Sequence, residues 1–140
     1  VYEYAPVWPV DRIIDCYALN VASADDVWCC YYTNFPLVHL HKKRIASTWN
    51  VPVSGSNAFA IAGAHVLFAG GYDKRDSFTL VRLDPDGTSM LIDEFELIGD
   101  DGVAVKPLKT IGRDAVLYVL DDAVLYEIDL KHVLATRGRG

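Results

Sequence analysis

The chain of 140 residues lacks most of the marks that announce a chemistry. It has only three cysteines, Cys16, Cys29 and Cys30, an odd number with two adjacent. That excludes the disulfide framework that staples small secreted domains. Neighbouring residues of a strand point to opposite faces, so Cys29 and Cys30 do not share a metal ion either. Buried, reduced thiols are expected. Basic charge is also short: the formal net charge is -6, and the one local basic run is His41 to Arg44. A nucleic-acid binder carries a basic stripe, so no nucleic-acid partner is expected. The longest apolar stretch, residues 58–70, is interrupted by His65. It is too short to cross a bilayer core of roughly 30 Å as a helix, so no membrane partner is expected. No basic head leads into an apolar run at the start, which reads as the absence of a signal peptide. With the odd cysteine count, the expected compartment is the cytoplasm.

Catalytic signatures are missing too. No Gly-x-Ser-x-Gly elbow occurs. The small-residue runs Ser54-Gly55-Ser56 and Ala69-Gly70-Gly71 are not followed by Lys-Ser or Lys-Thr at P-loop spacing. No helix opens after them to turn its dipole on an anion. Asp84-Pro85-Asp86-Gly87 puts glycine fourth, whereas a calcium loop needs it sixth with a Glu at position twelve. A tight hairpin turn is the reading there. The expectation is a protein without a cofactor, and with no catalytic signature the reading leans away from an enzyme without deciding it.

What is present is a succession of short β-rich runs. Val27 to Tyr32, Val66 to Phe68, Phe78 to Val81, Met90 to Ile92 and Val116 to Leu120 combine Tyr, Val, Phe, Trp and Ile. These residues fit a pleated, half-buried surface. Turn clusters separate them: Ser54 to Asn57, Asp84 to Gly87, Gly99 to Gly102, and Asp121-Asp122. Apolar residues make up 51% and charged residues 23%, enough for a real core and too few charges for disorder. The fold class is therefore all-β. No amphipathic helix of normal length is visible, and residues 131–136 suit a single turn.

Three segments overlay as a repeat. They begin near Asn20, Ala60 and Thr110 and carry equivalent valines at Val27, Val66 and Val116, spaced 39 and 50 residues apart. Blades of β-propellers commonly take roughly 40 to 50 residues. The pattern resembles β-propeller repeats in the broad sense. It lacks the Trp-Asp ending of WD repeats, and Gly70-Gly71-Tyr72 is its nearest approach to a kelch signature. The resemblance implies a stack of about three four-stranded antiparallel blades, with a self-closed sandwich or barrel as the alternative. Residues 1–136 form one domain, with blades at about 11–53, 54–98 and 103–130. Residues 1–10 are a possible blade-completing strand, confined to an edge by Pro6 and Pro9, and residues 137–140 form a disordered tail. Three blades do not close a ring. Self-association as a homodimer, or a larger propeller, is the expected remedy.

In such a stack the loops joining second to third strands gather at one end. They carry Tyr32 and Asn34, then Asp73 and Arg75, then Asp121 and Asp122; Asn57 and Asp100 follow the fourth strands. Mixed aromatic, amide and charged loops on a rigid scaffold suit a protein partner or a small polar ligand. A binding or interaction module is thus expected, with part of a propeller hydrolase or lyase, or a purely structural unit, as alternatives. The pairs Asp25-Asp26, Asp100-Asp101 and Asp121-Asp122 read as solvated turns. His39 and His41, two apart on one strand face, are metal-ligand candidates with no third ligand identifiable, so no bound metal is expected.

Overall fold

The computed structural model describes residues 15–32 and 34–137. Eleven strands and one helix follow in order: β1 Asp15–Val21, β2 Asp26–Tyr32, β3 Leu37–His41, β4 Arg44–Trp49, β5 Ala58–Ala62, β6 His65–Ala69, β7 Ser77–Leu83, β8 Ser89–Glu96, β9 Lys109–Arg113, β10 Val116–Leu120, β11 Leu125–Asp129 and α1 Leu130–Arg137. The strands form three antiparallel sheets, each a simple meander: β1 to β4, β5 to β8, and β9 to β11. The chain is all-β, and Val27, Val66 and Val116 fall one in each sheet. The third sheet has three strands among the described residues. The terminal run proposed as a completing strand lies outside them.

The connections are tight turns with the chemistry their conformation demands. Between β3 and β4, Lys42 and Lys43 both adopt positive φ, 50° and 67°, and His41 pairs with Arg44. That two-residue hairpin matches the right-handed twist of its strands. At the β7–β8 turn the Gly87 amide donates to the Asp84 carbonyl at 3.2 Å, with Gly87 at φ 88°. This is the hairpin read from the Asp-Pro-Asp-Gly run.

The middle sheet explains the continuous apolar runs. One of its faces packs Phe59, Ile61, Val66, Phe68, Val81 and Leu83 against Ala18, Trp28, Cys30 and Leu37 of the first sheet. Its other face packs Ala58, Ala60, Leu67, Ala69, Phe78 and Leu80 against Leu117, Val119 and Ile128 of the third. A strand covered on both sides has no polar face to show, so β5, β6 and the centre of β7 lose the period-two alternation. The third sheet keeps it. Leu117 and Val119 are buried, while Ile111, Leu120 and Leu125 stand 56%, 42% and 61% exposed.

The first strands β1, β5 and β9 lie against one another. One side chain ties them. Asn20, fully buried, donates from Nδ2 to the Phe59 carbonyl at 2.8 Å and to the Asp114 carbonyl at 3.0 Å. Its Oδ1 accepts the Asp114 amide at 2.8 Å. Each bond contributes only about 1 kcal/mol net, yet leaving such buried backbone groups unpaired costs about 1–3 kcal/mol apiece. Asn20 thus fixes how the three sheets meet.

The C-terminal segment departs from expectation. In place of a single turn, α1 runs eight residues, buries Leu130 and lays Val133 and Leu134 on the core shared by sheets two and three. Arg137, read as the start of a disordered tail, ends that helix and pairs with Asp93 at 2.5 Å. Apolar cover over a sheet edge outweighs the weak helical periodicity of the segment.

Candidate functional site

The connections β4–β5, β6–β7 and β8–β9 converge at one end of the stack. They enclose a cavity of about 330 Å³ lined by Asn57, Gly70, Arg75, Leu108, Lys109 and Thr110, among others. Asn57 reaches it across Gly70, which sits at φ 69°; a Cβ there would lie 2.7 Å from the Asn57 amide nitrogen. The backbone angle calls for glycine, and a side chain there would push the amide aside. Beneath, Ser56 is buried with its hydroxyl 2.9 Å from the Ala58 carbonyl and 3.0 Å from that of Ala69, which pins the approach to β5. Thr110 turns a buried hydroxyl with no hydrogen-bond partner among the described residues. No ion pair among those residues holds Arg75 or Lys109. Two cations and an amide therefore share this cavity, with the Thr110 hydroxyl buried in its wall.

A second cavity, of about 410 Å³, adjoins it across Leu108 and is lined by Asp101, Lys106, Asp121, Asp122 and Tyr126. The Asp121 carboxyl is held below its ordinary range because Oδ1 accepts the Ala123 and Val124 amides at 2.8 and 2.7 Å. The Tyr126 phenol is pushed upward, first by desolvation and then by Asp121, Asp101 and Asp100. Two of the acidic pairs therefore converge on one tyrosine. On the other flank, Tyr72 lies over Gly55 and edge-on to Tyr17 and Phe35, at 5.8 and 5.3 Å, and its hydroxyl donates to that of Tyr17 at 2.5 Å. Tyr32 joins the cluster edge-on to Phe35 at 5.7 Å.

The residues named from sequence divide accordingly. Asn57 and Arg75 meet in the first cavity. Asp121 and Asp122 meet in the second, with Asp100 contributing charge beside it. Tyr32 belongs to the aromatic flank. Asn34, at φ 63°, and exposed Asp73 lie in the β2–β3 and β6–β7 connections and line neither cavity. Sequence reasoning missed Lys109, Thr110 and Tyr126, because β9 and β11 reach the cavities only through sheet stacking.

The histidine pair does have a third partner. His39 Nε2 lies 2.9 Å, and His41 Nδ1 2.8 Å, from the same oxygen of Asp26. Those contacts, His41 first, depress the Asp26 carboxyl to about 2. Asp26 is therefore no solvated turn acid. It is the first residue of β2 and pairs in register with His41. Counting register back from the β2–β3 connection was the signal that could have found it.

One family model, that of the YxzG family, matches residues 4–128. The chain belongs to the YxzG family. In this YxzG member the matched span runs from ahead of β1 into β11, and it contains both cavities and the Asp26, His39, His41 cluster. No curated protein and no solved structure matches the chain. No helix among the described residues is long and apolar enough to cross a membrane.

Proposed function

We propose that this YxzG member is a binding module, built of propeller-type blades, whose loop end takes a small polar ligand or a peptide carrying an anionic group. One observation carries the reading: Asn57, Arg75, Lys109 and Thr110 line a single cavity contributed by two sheets. A guanidinium presents a planar fork that suits carboxylate or phosphate oxygens, and a nearby ammonium adds charge. The aromatic flank of Tyr17, Tyr32 and Tyr72 offers apolar surface with hydroxyl ends, a composition favoured at contact surfaces. Among the described residues, no Ser, Cys or His lines either cavity.

The blade reading rests on three features. The sheets are meanders, the first strands lie side by side, and the middle sheet is buried on both faces. A three-blade stack leaves the outer face of its third sheet open, with Ile111, Leu120 and Leu125 in water. A second copy of the chain is the proposed cover, giving six blades and a closed array.

Thermal melts against a panel of small carboxylates, phosphate esters and acidic peptides test the ligand reading. At least one member is expected to raise the melting temperature of the wild type. That shift is expected to vanish in Arg75→Ala and in Asn57→Ala while the unliganded melts stay alike. A panel without effect, or a shift that survives both substitutions, contradicts the reading.

A further inference from the structure

We propose that Asp26, His39 and His41 bind a first-row divalent transition-metal ion of the zinc and cobalt type. One nitrogen of each imidazole and one Asp26 oxygen lie within 4.8 Å of one another. Ligand atoms about 2.0–2.2 Å from a common ion stand roughly 3 Å apart, so the cluster needs only a small opening to seat one. Two imidazoles with a carboxylate suit borderline ions, whereas calcium and magnesium prefer all-oxygen shells.

The strand pairing builds this set. The period-two rise of β3 puts both histidines on one face, and the register with β2 sets Asp26 opposite His41. The surroundings hold the ligands. The His39 ring stacks on Trp28 at 4.0 Å and 8°, and Trp28 stacks on Trp49 at 5.6 Å. Trp49 is anchored by donation from Nε1 to the Asp84 carbonyl at 2.9 Å. The Ser23 hydroxyl donates to the other Asp26 oxygen at 3.2 Å and leaves Oδ1 to the histidines. Such outer partners orient metal ligands. On binding, each ring carries its proton on the nitrogen away from Asp26, so the two facing nitrogens offer lone pairs. The His41 side chain is 49% exposed, which leaves the outward coordination positions to water.

Equilibrium dialysis and absorption of the untagged chain with Co²⁺ alone test this, together with paramagnetic broadening of backbone amides. One ion per chain is expected, with broadening centred on Asp26, His39 and His41. His41→Ala and Asp26→Asn are each expected to weaken binding at least about tenfold. His132→Ala, at an exposed position of α1, is expected to leave it unchanged, and far-UV circular dichroism establishes that each variant folds. Absence of binding at millimolar Co²⁺, survival of binding in both ligand variants, or broadening centred on His132 or Cys16 overturns the proposal.

Discussion

Cys29 and Cys30 are neighbours in β2 that face opposite ways. Cys30 packs between the first two sheets, and Cys29 lies with Tyr31 and Val38 on the other side. Burial disfavours the thiolate and pushes both thiols up to about 12, so they stay protonated at pH 8. Cys16 is the exposed one, against the expectation that all three would be buried. A thiol-reactive chromophore at pH 8 is therefore expected to label one cysteine per native chain and three in denaturant. Rapid labelling of three in the native state would contradict the placement of β2. At this scale the sequence was partly readable. The opposed cysteines and the shared face of His39 and His41 follow from strand alternation alone. Asp26 did not, because an acid at a strand start reads as a turn until its cross-strand partner is known.

Among the elements, the close approach of β9 to β5 is the tightest constraint. A Cβ on Gly112 would lie 1.9 Å from the Phe59 carbonyl oxygen, the same oxygen that Asn20 holds. Backbone cannot yield there as a flexible side chain would. Gly112→Ala is expected to cost at least about 2–3 kcal/mol in urea unfolding, the range of a strained, overpacked site. A loss under about 0.5 kcal/mol would mean that β9 does not sit on β5. The strands themselves were legible, because β-branched and aromatic runs between Gly and Asp turns leave little choice. The docking of β9 was not, since nothing local distinguishes Gly112 from an ordinary strand glycine. Nor was the length of α1, whose apolar residues matter only once sheets two and three are stacked.

Across the whole molecule, the all-β class was legible in the short β-rich runs, and Val27, Val66 and Val116 fall one in each sheet, but that the sheet of residues 58–96 would be covered on both faces was not read from its apolar run. The loop residues read as one face divide instead between two cavities, Asn57 with Arg75 in one and Asp121 with Asp122 in the other, and the residues supplied by β9 and β11 depend on how sheets abut. The stack closes its middle sheet and leaves the apolar outer face of its third sheet in water. An account in blades requires that face to be covered. Light scattering coupled to size exclusion, across a dilution series, tests it most directly. The account predicts twice the chain mass of 15.5 kDa, persisting on dilution. A monomer at every concentration would contradict the six-blade arrangement and the blade reading on which it rests.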